Sequence, residues 1–104
     1  MSARYTCIWA FQVSEENRSA FEACYAPDGA WGSLFRQQAG FIGMQLLRDR
    51  RSPGRYLTVD RWMSEAAYDA FRSTCAEAYA ELDRQCEGLA LEERFIGGFL
   101  EPGP

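Results

Sequence analysis

The pattern of apolar residues divides this chain into strand-like and helix-like segments, and their order limits the folds that it can adopt. Four segments have the pattern of β-strands, residues 4–13, 41–49, 55–63 and 91–100. Three have helical spacing, residues 14–25, the short segment 30–38, and 64–86. The main order of strand, helix, strand, strand, helix, strand is that of the ferredoxin-like fold. We therefore predict an α+β protein with a four-stranded antiparallel sheet and its helices on one face.

The length and composition are those of one domain. The chain has 104 residues, of which 47% are hydrophobic, and it contains no internal repeat or linker. This is enough apolar material for a single core. We predict one domain over residues 1–104, with a core of about residues 5–100 and a short frayed tail at 101–104.

Both faces of the predicted first strand carry apolar side chains. One face presents alternate residues, Tyr5, Cys7, Trp9, Phe11 and Val13. The other includes Ile8 and Ala10, and the third predicted strand is similarly apolar on both sides. Helices on one face of the sheet leave the other uncovered, and a large apolar surface is unfavourable in a monomer. We therefore predict a homodimer in which the uncovered sheet faces pack together.

Two residue types are missing, and their absence excludes several kinds of chemistry. The chain has no histidine and no lysine, so all eleven basic residues are arginine. Catalysis by Ser-His-Asp or Cys-His groups, histidine metal sites and lysine Schiff bases are therefore excluded. The spacing of the four cysteines fits no zinc site. We predict that the protein uses no metal and no other cofactor.

The remaining composition bears on partners and location. Fifteen acidic residues give a net charge of −4, which argues against binding to nucleic acid. No segment is long and apolar enough to span a membrane, and the N-terminus lacks the apolar core of a signal peptide. Cys75 and Cys86 fall on one predicted helix, about 16 Å apart, which is too far for a disulfide. We expect free thiols in a cytoplasmic protein.

Three stretches carry a resemblance to a known family: YTCIWAFQV, AGFIGMQLLRD and RYLTVDRWMSEAAYDAF. In the last stretch, a predicted strand ends in an acidic residue and Trp62. A capped helix follows, and it carries an aromatic residue four positions beyond Ser64. Over about residues 5–100, the chain resembles the antibiotic biosynthesis monooxygenase domains of the dimeric α+β barrel superfamily.

The resemblance implies a homodimer that closes into an α+β barrel, with a pocket between sheet and helices in each subunit. Members of the family include cofactor-free oxygenases of polycyclic phenols or quinols, and haem-degrading enzymes. This chain departs from the haem-degrading branch because it has no histidine to bind iron. It also lacks the histidine that many members carry on the second helix, where residues 68–75 stand instead.

Asp60 is the candidate general base. It lies near the end of the third predicted strand, on the same face as Trp62. Burial at the floor of a pocket would raise the pKa of its carboxyl and suit it to accept a proton from a phenol. The alternative is a carboxylate at the rim, paired with an arginine such as Arg55 or Arg61 or hydrogen-bonded to the backbone.

Aromatic residues and one arginine complete the predicted site. Trp62 and Trp31 could sandwich a flat ligand, or they could belong to the core or a dimer interface. Tyr25, Tyr68 and Tyr79 place hydroxyl groups at inward helical positions, where they could bind ligand or simply pack. Tyr79 and Arg36 are the candidates to stabilise an anion, although an exposed helical arginine is commonly solvated.

Three classes of function remain open from these residues. The first is a cofactor-independent monooxygenase that acts on a quinol, a polycyclic phenol or another enolisable small molecule. The second is a dimer that binds such a molecule without turnover. The third is a structural dimer with no ligand. An open cavity between sheet and helices favours the first two, and a filled core favours the third.

Overall fold

The computed structural model describes residues 3–102 and shows four strands and four α-helices. The strands are β1 (Tyr5–Gln12), β2 (Phe41–Arg48), β3 (Arg55–Trp62) and β4 (Glu92–Leu100). The helices are α1 (Arg18–Tyr25), α2 (Ala30–Arg36), α3 (Glu65–Thr74) and α4 (Ala76–Gln85). Of the tail predicted to fray, residues 101 and 102 are exposed, whereas residues 103 and 104 lie outside the described residues.

The four strands form one antiparallel sheet in the order β2-β3-β1-β4, which confirms the predicted ferredoxin-like fold. A short hairpin joins β2 to β3, as the sequence indicated. Asp49 closes it: its Oδ1 accepts hydrogen bonds from the backbone N–H groups of Arg51 and Ser52, at 2.8 and 3.0 Å. Gly54 ends the turn with φ of 81°, a conformation that favours glycine.

The prediction of one continuous helix over residues 64–86 is wrong. It is interrupted at Cys75, whose φ of −108° and ψ of 26° are not helical, so α3 and α4 are separate. Ser73, Thr74 and Cys75 are consecutive residues of low helix propensity, which accounts for the position of the break. The apolar spacing continues through the break and therefore did not reveal it. The 16 Å separation inferred for Cys75 and Cys86 from one straight helix no longer applies.

The serines that precede the first and third α-helices behave differently. Ser64 caps α3, since its Oγ accepts a hydrogen bond of 3.0 Å from the backbone N–H of Ala67. Ser14 makes no such bond, and a turn of 3₁₀ helix at Glu15–Asn17 precedes α1. Near the ends of α1 and α4, the Sγ atoms of Cys24 and Cys86 lie 2.9 Å apart.

The core lies between the helices and one face of the sheet. On β3 the four inward residues are buried, as the alternation predicted: Tyr56, Thr58, Asp60 and Trp62. The opposite face is uncovered in the described chain. There Leu47 of β2 lies opposite Leu57 of β3, and Phe99 of β4 lies opposite Thr6 of β1. The side chains on the two edge strands, Leu47 and Phe99, are 43% and 48% exposed. Within residues 3–102, no helix has the length and apolar character needed to cross a membrane.

Candidate functional site

A cavity opens between the sheet and the helical layer. Its empty volume is about 370 Å³ when the opening to solvent is included, and the closed inner part is a small fraction of that. Strands β1, β2, β3 and β4 supply part of its wall, and α1, α2 and α4 supply the rest. The lining residues are Trp9, Phe11, Tyr25, Trp31, Phe35, Met44, Thr58, Asp60, Tyr79, Asp83 and Glu93. An aromatic ring bound here would therefore lie partly in the opening.

Asp60 is the buried acid of this cavity. Its side chain is on the inward face of β3, and the residue is 7% exposed. Its Oδ1 has no hydrogen-bond partner among the described residues. Burial disfavours the charged form and raises the pKa of the carboxyl from 3.8 to about 7. The group therefore changes its ionisation near neutral pH.

The alternative arrangement for Asp60, a pair with Arg55 or Arg61, is not formed. Arg55 donates instead to Oδ2 of Asp49 at 3.0 Å. Arg61 is exposed, and it follows Asp60 directly on β3, so its side chain leaves the opposite face of the sheet.

Aromatic rings form most of the cavity wall. The rings of Trp31 and Tyr79 meet edge to face at 5.1 Å, and Tyr25 lies 6.1 Å from Trp31 between centroids. Burial raises the pKa of the Tyr79 phenol to about 12, and burial likewise raises that of Tyr25. Both hydroxyls therefore keep their protons at neutral pH and can donate hydrogen bonds to a ligand.

Trp9 is a cavity residue that the sequence analysis assigned only to the apolar face of β1. It lies opposite Thr58 in the register of β1 with β3, two positions from the Cys7–Asp60 pair. Its ring contacts Phe95 of β4 at 5.0 Å. The alternation that puts Trp9 on one face of β1 with Cys7 and Phe11 was the available signal, but the register of β1 with β3 was not known from sequence.

Trp62 and Tyr68 lie away from the cavity. Trp62 is fully buried and packs against Phe71, at 5.1 Å between centroids, and against Tyr68, at 5.7 Å. Phe35 stands between the two predicted partners, with centroid distances of 5.9 Å to Trp31 and 5.6 Å to Trp62. Trp31 and Trp62 therefore do not form the sandwich that was predicted.

Arg36 is also outside the cavity. Its guanidinium donates hydrogen bonds to the carbonyl oxygen of Pro27 and to Oγ of Ser33, the second at 3.3 Å. The bond to Pro27 ties the end of α2 to the loop that precedes it, whereas Ser33 lies within α2. The hydroxyl of Tyr68 accepts a hydrogen bond of 3.0 Å from Arg72, which also stacks over the Tyr79 ring at 3.9 Å from its centroid.

The mouth of the cavity is acidic. Asp83 on α4 and Glu93 on β4 line it, and both also line an adjoining open groove. Partial burial, together with the charge of Asp83, raises the pKa of the Glu93 carboxyl. No cluster of three or more Cys, Asp or Glu side chains in residues 3–102 has the arrangement of a metal site. The arrangement can bind an aromatic ring and accept a proton from it at Asp60.

Solved structures with the same fold come from several organisms. SnoaB, a cofactor-independent oxygenase from Streptomyces nogalater, matches with a TM-score of 0.73 at 19% identity, over 99% of this chain and 97% of SnoaB. A Bordetella bronchiseptica protein described as an antibiotic biosynthesis monooxygenase matches with a TM-score of 0.74 at 18% identity, over 97% and 99% of the two chains. A protein from Pseudomonas aeruginosa matches with a TM-score of 0.71 at 20% identity, over 99% and 98%.

Comparison with curated proteins gives no match. The sequence model of one family does match, over residues 4–81, and this range includes Asp60 and the first three strands. The match covers most of the chain, and the solved structures named above share the fold of this chain. This chain belongs to the antibiotic biosynthesis monooxygenase family.

Proposed function

We propose that this protein is a cofactor-independent monooxygenase that acts on a quinol, a polycyclic phenol or another enolisable aromatic molecule. One observation carries the proposal: Asp60 is buried without a hydrogen-bond partner for Oδ1 at the wall of an aromatic cavity. A carboxyl in that position lacks a structural partner and is suited to accept a proton from a ligand. SnoaB, whose fold this chain shares, is described as a cofactor-independent oxygenase.

The first step is proton transfer from the phenol to Asp60. A general base works best when its pKa is close to the working pH, and burial raises the pKa of Asp60 to about 7. Tyr79 is the donor to the oxygen anion that forms, because its hydroxyl keeps its proton at this pH. Trp31 and Tyr25 provide the surfaces that hold the ring.

The second step uses dioxygen as the named co-reactant. The phenolate gives one electron to dioxygen, and the resulting superoxide and aryloxyl radical combine at a ring carbon as a peroxide. The peroxide regains the proton held by Asp60, and loss of water then leaves a carbonyl group at that carbon. Overall, a phenol and dioxygen give a quinone and water.

Three residues of the predicted site have supporting roles in this proposal. Trp62 and Tyr68 fill the core beside Phe35, which itself lines the cavity. Arg36 fixes α2, which carries Trp31. We assign these three to holding the wall in place and not to contact with the ligand.

Oxygen uptake by metal-stripped protein, with a panel of quinols and polycyclic phenols, tests the proposal. We expect uptake with at least one compound, and we expect Asp60→Asn to lower it by about a hundredfold or more because the base is lost. Asp69→Asn, which removes an exposed carboxyl on α3, is the matched control and should keep full activity. Unchanged uptake in Asp60→Asn contradicts the assignment of the base. Tight binding of the panel without uptake indicates a ligand-binding protein instead.

The proposal includes a homodimer. Its support is the uncovered sheet face, where side chains such as Leu47 and Phe99 are exposed, and the family's dimeric α+β barrel architecture. Light scattering should then give a mass near twice the 11.8 kDa of the chain. A mass equal to that of one chain at micromolar concentration contradicts the barrel.

A further inference from the structure

The ionisable groups that line the cavity are all acids or phenols. They are Asp60 in the interior, Asp83 and Glu93 at the mouth, and Tyr25 and Tyr79 in the wall. No arginine of the described residues lines the cavity, and the sequence contains no lysine or histidine. The carboxylates therefore repel an anionic group, whose only favourable partners in the wall are the neutral tyrosine hydroxyls, whereas they attract a cationic group.

Two features independent of the acidic mouth indicate that a ligand occupies this space. Asp60 is more than nine-tenths buried, and its Oδ1 has no partner in residues 3–102 although it adjoins the cavity. The indole rings of Trp9 and Trp31 also line the cavity, together with the acids of its mouth. Indole faces attract ammonium groups through the negative charge of their π system.

The proposed reaction brings no positive charge into this acidic cavity. Proton transfer to Asp60 neutralises that carboxylate and moves its negative charge to the ligand oxygen, and no cationic side chain of the described residues lines the wall to offset this charge or the acidic mouth. Arg72 is the nearest guanidinium that the contacts reveal, since it stacks on the Tyr79 ring, but it donates to Tyr68 and does not line the cavity. Arg36, which the sequence suggested as a group to stabilise the anion, instead donates a hydrogen bond to the carbonyl oxygen of Pro27.

We propose that the substrate supplies a positive charge: the cavity selects a phenolic aromatic molecule that carries a protonated amine. The ammonium group lies between Asp83 and Glu93, against the indole faces, and the phenol points towards Asp60. This inference rests on the proposed function and names its substrate class. Partial burial, and then the charge of Asp83, raise the pKa of the Glu93 carboxyl, which agrees with two neighbouring acids at a mouth that no arginine of the described residues lines.

The test is binding of three naphthols that differ at one ring position, which carries an aminomethyl, a hydroxymethyl or a carboxyl group. Quenching of tryptophan fluorescence reports binding, because Trp9 and Trp31 line the cavity. At about pH 8 the amine is cationic and the acid anionic. We expect the aminomethyl compound to bind about tenfold more tightly than the hydroxymethyl one, from cation–π and ion-pair attraction, and the carboxyl compound to bind least. The advantage should shrink as salt is added.

Variants locate the effect. Asp83→Asn combined with Glu93→Gln should remove the ion-pair part of the preference for the amine and leave a smaller, salt-independent preference, and circular dichroism shows that the variant is folded. Glu77→Gln removes one charge from the exposed side of α4 and should keep the preference. A preference that survives the double substitution undiminished overturns the assignment of these two carboxylates, and so does its loss in Glu77→Gln.

The outcomes separate this inference from the proposed function. Equal affinity for the three naphthols, or tighter binding of the carboxyl compound, overturns the inference. If the hydroxymethyl naphthol still consumes oxygen in an Asp60-dependent way, the proposed function stands without it. If the amine is preferred but no compound consumes oxygen, the selectivity holds and the proposed oxygenase activity fails.

Discussion

Two neighbouring residues on the inward face of β3 have opposite surroundings. Trp62 is enclosed by the rings of Phe35, Phe41 and Phe71, at centroid distances of 5.6, 5.2 and 5.1 Å. Asp60, two positions earlier, faces a cavity. The same sheet and the same helical layer thus hold a filled aromatic cluster at one end and an open aromatic site at the other.

The comparison shows what distinguishes a site from a core. Aromatic content does not, since both ends are rich in rings. An unpartnered polar atom alone does not either, because Nε1 of Trp62 lacks a hydrogen-bond partner in the described residues just as Oδ1 of Asp60 does. The difference is that space adjoins Asp60, and that its group can change charge near neutral pH.

The largest expected effect is loss of stability at the filled end. Trp62→Ala removes a fully buried ring from a packed cluster and should lower the free energy of unfolding by about 5 kcal/mol. Trp31→Ala enlarges a cavity that already exists and should cost about half as much. Urea denaturation of both variants measures the difference. Equal losses contradict the distinction between a filled and an open end.

A pH series of Asp60→Asn should show the next largest effect. The folded chain holds the Asp60 proton up to about pH 7, whereas the unfolded chain releases it near 3.8. Asp60 therefore weakens the fold progressively as pH rises between those values, by about 4 kcal/mol in all. Because Asn does not titrate, the stability of the variant relative to the parent should increase by this amount as pH rises over the same range, as measured by urea denaturation at each pH.

Asp49→Asn is the control for that series, with the opposite sign. Hydrogen bonds from the backbone of Arg51 and Ser52 and from Arg55 lower the pKa of Asp49 to about 2. Asp49 therefore stabilises the fold at pH values above the pKa that it has in the unfolded chain, and this stabilisation is lost as pH falls towards 2. At neutral pH, Asp49→Asn should be less stable than the parent protein. If Asp60→Asn shows the same direction as Asp49→Asn, Asp60 is not buried without a partner.

The smallest effect concerns the helix that covers the filled end. Ser64→Ala removes the hydrogen bond to the N–H of Ala67 and should cost about 1 kcal/mol. Ser14→Ala removes no capping bond and should change stability by less than about 0.5 kcal/mol. Thermal unfolding of the two variants compares them directly. An equal loss would show that Ser14 also caps its helix in solution.

Much of the fold followed from local patterns in the sequence. Strict alternation placed Thr58, Asp60 and Trp62 on one face of β3, and this is confirmed because the face is set by the two-residue repeat of a strand. The break at Cys75 was missed because apolar spacing continues through it, although three weak helix formers mark it.

The candidate site was less predictable, because it depends on contacts between distant segments. The position of Phe35 between Trp31 and Trp62 is set by how α2 packs on the sheet. The hydrogen bonds of Arg36 to the loop before α2 depend on the path of that loop. Neither leaves a periodic signal in the sequence. Asp60 could be singled out because both its strand position and its chemistry were visible locally.

The position of β1 in the sheet has a consequence for the synthesis of the protein. β1 lies between β3 and β4, and its pairing with β4 joins Tyr5 to Leu100. A ribosome releases β1 long before β4 exists, so one edge of β1 stays open for most of translation. Such long-range pairing slows folding, and an open strand edge can pair with other chains. Nascent chains that stall before residue 92 should therefore depend on chaperones to remain soluble.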